Sequence, residues 1–536
     1  MKKLFQFIII VLSLSGSLSA GAQQTSEDVL KQFQKLTRFY RYLNGMYVDS
    51  VAMAPLVERA IESMLEELDP HSSYIPAEEM KGVQEQFDGE FSGIGVEFNI
   101  YHDTVRVVNV IAGAPAERVG VRANDRIVTI NGADAVGIKR ADVPKKLRGK
   151  TGSKVTVGIK RHGSDEITDY VITRDKIPLN TLDAAYRIGD SVGYFKINRF
   201  GRTTMREFDA AFDRMKGVNS VILDLRGNGG GIFEQAIELA DFFLPAGRSI
   251  VSTEGRAVQP QYYSARRNGK FVNGKVVVLI DESSASASEI VAGALQDWDR
   301  AVIIGRPSFG KGLVQRQMML DDSSAVRITI AHYHTPTGRV IQRPYENGKR
   351  DEYYKAYRDR FADMQNADTT SADDRPKYKT LLNGRTVYGG GGIAPDIFVA
   401  QDTTEYTDYL VKLISQGVVA EYLSDYLDTR RDGLKTRYGT FDAFDDGFDV
   451  DDAMISALVA AGAARGIDVD ADALARSESY LKRYIKANIA RSLFSVSEFY
   501  RVMNSSGDAV YDKAVEIVGD EPSYRNALFP PEKTVR

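Results

Sequence analysis

No cysteine occurs anywhere in the chain. That absence rules out disulfides, a thiol nucleophile, thiolate metal sites and a lipidated cysteine, and it leaves stability to packing alone. Histidine is scarce: His71, His102, His162, His332 and His334 are scattered. Only His332 and His334 could share a strand face, and nothing nearby completes a metal site, so neither a metal nor another cofactor is expected. Basic charge is not in excess, with 69 Lys and Arg against 73 Asp and Glu and a net charge of −4. Nucleic acid is therefore an unsuitable partner. Long apolar runs are missing as well. The strongest, Phe5 to Leu14, is shorter than the ~20 residues of a membrane span, so no permanent span is expected. It follows Lys2-Lys3 and precedes Ala20-Gly21-Ala22, the three parts of a secretory signal, which makes residues 1–22 a signal peptide and predicts an exported, periplasmic protein.

What is present is a chain of 536 residues, 43% of them hydrophobic, enough for about three or four domains. Its most informative stretch is DESSASASEIVAGALQDWDRAVIIGRPSFGKGLVQ, residues 281–315. The β-branched run VVVLI (Val276 to Ile280) reads as a buried strand, and Ile290, Val291, Ala294 and Leu295 mark one face of a helix. Ser286 thus falls on a strand-to-helix turn, where unpaired helix amides suit a developing oxyanion and the Ala287 N–H is placed to donate. A serine needs a base. A lysine serves only when burial lowers its pKa, and Lys311 lies between Gly310 and Gly312 with Phe309, Leu313 and Val314 to exclude water. Gln315, four residues on, would hold the amine across one turn if that segment were helical. Taken singly, the Ser/Ala run is also a plain N-cap and the lysine a plain loop charge. Gly305 to Lys311 spells G-x-x-x-x-G-K, but Gly312 stands where a P-loop needs a hydroxyl.

These residues resemble the carboxyl-terminal processing peptidases, or tail-specific proteases, through SASASEI (Ser284 to Ile290) and FGKGLVQ (Phe309 to Gln315). The resemblance implies a Ser-Lys dyad of Ser286 and Lys311 with Gln315 as partner, and leaves Ser283, Ser284 and Ser288 as structural or bystander residues. VILDLRGNGGG (Val221 to Gly231) reads as a second buried strand with a glycine turn, and fails as a dinucleotide fingerprint because Ile232 takes the third glycine's place. By the resemblance this turn gives a second oxyanion-hole amide, assigned to Gly230 with Gly231 as the adjacent possibility. The family often has proline where Gly229 stands.

Residues 87–176 resemble a PDZ domain, on GIGVEF (Gly93 to Phe98), VVNVIAGAPAERVGVRANDRIVTING (Val107 to Gly132) and VPKKLRG (Val143 to Gly149). In such a domain the loop Gly93, Ile94, Gly95 and Val96 would bind a peptide's terminal carboxylate. LDPHSSYIP, TPTGRVIQ and GGGIAPDI also match the family, so that the resemblance runs from about Val48 to Val399. The expected organisation is a signal peptide (1–22), an N-terminal helical region (23–86), an inserted PDZ domain (87–176), an α/β peptidase core of ClpP/crotonase-like type (177–400), and a mainly helical C-terminal region (401–536). The polar stretch 347–379 is expected to be a surface excursion. In the last region Ser479-Tyr480-Leu481-Lys482 has the S-x-x-K spacing without its companion motifs, and 442–452 has Phe444 where a calcium loop needs oxygen.

The expected function is an exported serine endopeptidase that cleaves near the C-termini of exported or misfolded proteins, with a homo-oligomer through the helical terminal regions as a further possibility. The alternative is a non-catalytic PDZ scaffold that only binds peptides.

Overall fold

A computed structural model describes residues 27–364 and 375–529; the expected signal peptide, residues 1–22, lies outside them. The chain begins with helix α1 (27–46), then α2 (Met53–Glu66), β1 (Ser73–Ile75) and α3 (Ala77–Asp88). The span read as helical therefore contains a strand.

The region that resembles a PDZ domain comprises β2 (Glu90–Gly93), β3 (Val96–Tyr101), β4 (Thr104–Val110), α4 (Pro115–Arg118), β5 (Arg126–Ile130), β6 (Ala133–Asp134), α5 (Asp142–Leu147), β7 (Lys154–Lys160), β8 (Ile167–Thr173) and β9 (Asp175–Pro178). Alternating Val105, Val107, Ile127, Val155, Val157 and Ile159 fill its core, the period-2 pattern of a half-buried sheet. Asn131 and Gly132 both have positive φ, as the tight β5–β6 hairpin requires. The sheet order is β3-β4-β5-β7-β8, so β3 is an edge. Strands β2 and β9 pair with each other and form the stem to the core.

The core follows as β10 (Leu182–Ile188), β11 (Val192–Ile197), α6 (Thr204–Arg214), β12 (Ser220–Asp224), α7 (Phe233–Phe243), β13 (Ser249–Gly255), β14 (Val258–Ser264), β15 (Lys275–Ile280), α8 (Ala287–Asp297), β16 (Val302–Gly305), β17 (Leu313–Met319), β18 (Ala325–His334), α9 (Arg350–Met364), β19 (Lys377–Lys379), β20 (Thr386–Tyr388) and β21 (Ile397–Phe398). Its main sheet runs β10-β11-β12-β15-β16-β21, parallel except for β10. The continuous apolar runs of β12 and β15 are those of strands covered on both faces. One face packs on α6, α7 and α8. Every residue of α8 is buried, which its small residues permit. A second, antiparallel sheet has the order β1-β18-β13-β14 with β17 on β18. The PDZ domain is thus inserted between two parts of one core, because β1 precedes it and the remaining strands follow.

The C-terminal region is α10 (Asp408–Ser415), α11 (Val418–Arg437), α12 (Phe441–Gly447), α13 (Asp452–Ala464), α14 (Ala471–Leu493), α15 (Val496–Asn504), α16 (Ala509–Gly519) and α17 (Glu521–Leu528). Helices α10 to α14 build a core of their own. Val510, Ala514, Ile517, Val518 and Leu528 instead cover the other face of the main sheet, on Ile222, Val277, Leu279 and Ile304. The last helices therefore belong to the same core as the main sheet. In the S-x-x-K segment of α14, Lys482 pairs with Glu478 and Asp452, a solvated helix face. No helix among the described residues is long and apolar enough to cross a membrane.

Candidate active site

Strand β15 ends at Ile280, and the chain turns through Ser286 into α8. Ser286 is the N-cap residue, with φ 53° and ψ −110°, a sparsely populated conformation for a residue with a side chain, of the kind found at nucleophile turns. Its neighbours hold the turn. Ser284 Oγ donates to Leu225 O and accepts from Asp281 N–H, both at 2.9 Å, and Ser288 Oγ donates to Asn228 O at 2.9 Å. Those two serines are structural. Ala287 is the first residue of α8, where an N–H has no intrahelical acceptor.

The glycine turn after β12 lies directly against the serine turn. A Cβ on Gly230 would sit 2.9 Å from Ser286 Cβ and 3.0 Å from Ala287 N, and its φ is +99°, so only glycine fits. The Gly230 N–H itself donates to Asn228 Oδ1 at 2.9 Å. Buried Asn228 also accepts from Ala285 N–H at 3.0 Å and donates to Ile197 O at 3.0 Å, which locks both turns together.

Lys311 follows β16 on the loop into β17. Its Nζ donates to Gln315 Oε1 at 2.9 Å, and Gln315 Nε2 donates to His71 O at 2.7 Å. The segment is strand rather than helix. A β-bulge between Val314 and Gln315 shifts the register there. Burial, with the Arg327 charge second, pushes the Lys311 amine below the usual lysine range, while Asp69 and Glu289 act in the opposite direction. His71 is packed edge-on to Phe309 and Tyr353, at ring distances of 6.0 and 5.4 Å. Burial and Lys311 pull its imidazole down to about 4, so it is neutral near pH 7.

Two groups that motif reading had not assigned join serine and lysine. The buried Glu289 carboxylate accepts from Ser286 N–H at 2.8 Å and Lys311 N–H at 2.9 Å on one oxygen, and from Ser308 Oγ at 2.5 Å and Gly310 N–H at 2.7 Å on the other. Buried Tyr333 reaches both backbones, with its hydroxyl 2.8 Å from Lys311 O and 3.2 Å from Ser286 O. Ser286-Ala287-Ser288-Glu289 is an S-x-x-E capping box, the one sequence signal for Glu289. The stretch expected to be a surface excursion contains α9, whose buried Tyr353 stacks with Arg343 at 4.0 Å beside Phe309. It walls the lysine loop because its tyrosines, hidden in a charged sequence, supply the apolar face. At the other predicted site, Ile94 is buried, Gly95 has φ +80°, and the Ile94 and Gly95 carbonyls accept from Ala116 and Ile111 N–H. His332 and His334 lie on β18 flanking Tyr333.

Against known proteins, peptidase family S41 matches residues 191–347 and the PDZ domain 92–169, while the activating protease CtpB N-terminal domain matches 13–79 and a family of unknown function 409–495. The carboxy-terminal-processing protease of Bartonella bacilliformis is 38% identical over 63% of this chain and 79% of its own. The carboxy-terminal processing protease CtpA of Bacillus subtilis is 33% identical over 62% and 72%. The chain belongs to the carboxy-terminal processing protease family. A solved photosystem II D1 C-terminal processing protease is 31% identical, over 56% of this chain and 82% of that one, with a TM-score of 0.34. This protease is accordingly a serine-type peptidase with an S41 core and a PDZ domain, and the scaffold alternative is not favoured.

Proposed function

We propose that Ser286 is the nucleophile and Lys311 the general base of an endopeptidase that cleaves proteins near their C-termini. Neutral Lys311 takes the Ser286 hydroxyl proton as Oγ attacks the scissile carbonyl, and returns it to the leaving amine. Water then hydrolyses the acyl-enzyme by the same route. Gln315 holds the amine, and the Ala287 and Gly230 amides receive the oxyanion, Gly230 by exchanging its bond to Asn228. The loop Gly93, Ile94, Gly95 and Val96 grips the substrate's terminal carboxylate while β3 takes the peptide as an added strand. The substrates are exported proteins, reached after removal of residues 1–22 in the periplasm, and the exposed apolar face of α1 (Val29, Phe33, Leu36 and Tyr40) supports pairing with a second copy.

The observation that carries this reading is the half-buried Lys311, whose amine is held by Gln315 on a loop that Glu289 ties to the serine turn. Its test is Ser286→Ala and Lys311→Ala in the full chain, assayed on an unfolded protein with a free C-terminus and with the cut mapped by mass spectrometry. Each should lower kcat by several orders of magnitude, because nucleophile and base act as one unit. Retained turnover in a folded Ser286→Ala protein would exclude the assignment.

A further inference from the structure

The face of the PDZ sheet behind its peptide edge carries a row of like charge. Arg106 on β4 is the direct cross-strand partner of Arg126 on β5, and Arg126 is in turn the partner of Lys160 on β7. Like charges opposed in a sheet repel. In an isolated PDZ domain this row would be unfavourable, and in the folded chain Arg106, whose side chain is 8% exposed, is a buried charge in need of a partner.

The partner comes from more than 300 residues away. On α11, Glu421, Ser424, Asp425 and Asp428 fall at i, i+3, i+4 and i+7, one stripe of a helix. Arg106 Nη1 lies 2.5 Å from Asp425 Oδ1 and 2.9 Å from Ser424 Oγ, and Arg126 Nη2 lies 2.5 Å from Asp428 Oδ2. Two turns of the PDZ domain add His102 Nε2, 2.7 Å from Glu421 Oε1, and His162 Nδ1, 3.3 Å from Asp428 Oδ2. Arg491 on α14 reaches Glu97 of β3 at 2.8 Å. Charge thus matches charge along two elements that the sequence places far apart.

We infer that the helical C-terminal region is an intramolecular docking platform, which holds the PDZ domain by the cationic face of its sheet and fixes edge strand β3 relative to Ser286. The contacts are on the back and leave the free edge of β3 open: Val96, Phe98 and Ile100 face the PDZ core, while Glu97 faces α14. From α14 the path to the sheet that carries the serine turn is short. On α15, Ser497 Oγ accepts from Ala185 N–H, Tyr500 donates to Asp183 and Asn504 donates to Tyr186, all in β10. A PDZ domain held this way presents a bound tail at a set distance from the nucleophile, which keeps the effective concentration of the scissile segment high. The inference builds on the tail-reading role proposed for loop 93–96.

The experiment uses the full-length mature chain with Asp425→Arg plus Asp428→Arg, the reciprocal Arg106→Asp plus Arg126→Asp, and the fourfold swap. Asp425→Asn plus Asp428→Asn serves if the reversal does not fold. Hydrogen exchange over residues 104–110 and 418–430 reads the docking itself. Each pair alone should raise exchange in both segments, and the swap should restore protection. With a short C-terminally amidated peptide kcat/KM should match the wild type, whereas with an unfolded protein carrying a free C-terminus it should fall about tenfold and recover in the swap. Unchanged exchange in folded single-side variants, or an equal loss on both substrates, overturns the platform. A fluorescent tail peptide titrated into the wild type separates the two readings. If it does not bind while the exchange changes appear, tail reading falls and the docking stands.

Discussion

Glu289 offers the sharpest test of how the site is held. Its carboxylate collects four donors in a buried place, and Glu289→Gln keeps the volume while replacing one oxygen by an NH2. If the remaining oxygen faces Ser286 and Lys311, the NH2 meets Ser308, whose hydroxyl can rotate to accept, and Gly310, whose N–H is left unpaired. One orphaned buried N–H costs about 1–3 kcal/mol. Both bonds to Ser286 and Lys311 survive, so kcat should fall by no more than about tenfold, the equivalent of one such bond loosened. Glu289→Ala is different in kind. It orphans all four groups and leaves a cavity, which should cost roughly 4 kcal/mol or more, and it frees the two turns from each other. A displacement of about 1 Å between nucleophile and base is enough for a hundredfold loss. Urea unfolding gives the stabilities, and turnover of a short peptide gives kcat at substrate saturation. A folded Glu289→Ala enzyme with kcat near wild type would show that Glu289 does not set the geometry.

Further outcomes are expected at three residues. Because burial holds Lys311 below the usual lysine range, the unfolded chain binds this proton more readily than the native one. This group's contribution to stability therefore falls as pH drops through the folded value and recovers toward ~10.4. Lys311→Met should raise Tm at pH 7 while abolishing turnover, Lys311→Arg should be as inactive as alanine, and the wild-type pH–rate profile should plateau well below the free-lysine value; a plateau only above it would mean a solvated base. Gly230→Ala would put a methyl 2.8 Å from Ala285 O at φ +99° and should lower kcat about 10²–10³-fold, the size of a lost oxyanion donor, with KM little changed; an unaltered kcat would move the donor elsewhere. Gly95→Val would bring a Cβ to 2.2 Å from Ala114 Cβ, shifting the loop, so cleavage of free-acid proteins should fall while short-peptide hydrolysis persists, and amidating the substrate should reproduce the loss in the wild type.

The strand, turn and helix around Ser286 were legible because local chemistry dictates them: a β-branched run that ends in small polar residues has one good continuation. Lys311 with Gln315 was legible as a pair and not as geometry, since spacing of four fits a helix and also fits a bulged strand. Asn228, Tyr333 and His71 were invisible as site residues, because each acts through contacts with segments far along the chain. Tyr353 was hidden by composition: α9 is polar by count, yet its tyrosines line up on one side. The C-terminal region carried no motif, and its acidic stripe on α11 acquires meaning only once Arg106 and Arg126 are seen opposite each other.

Segments on both sides of the core strands therefore brace the site. Gln315, which fixes the lysine, is fixed in turn by the His71 carbonyl, and the 69–72 segment is held by Asp69, which accepts from His71 N–H and Ser72 N–H at 2.9 Å. On the other side of the sheet, buried Asp224 at the end of β12 pairs with Arg226, which makes a two-pronged contact of 2.8 and 2.9 Å with Asp508, the N-cap of α16. Arg226 lies two residues before Asn228, so the glycine turn is steadied by a carboxylate from the last helices. Asp508 serves twice, since its Oδ1 also accepts from Tyr511 N–H at 3.0 Å. Its removal would both uncap α16 and leave a buried guanidinium short of charge, and breaking one partner of such a pair is strongly destabilising. A fragment cut down to the 177–400 core would lose the brace on the lysine, the brace on the glycine turn and the cover of one sheet face together. The chemistry of the two turns is thus a property of the whole fold, which is why the site depends on residues that no local motif names.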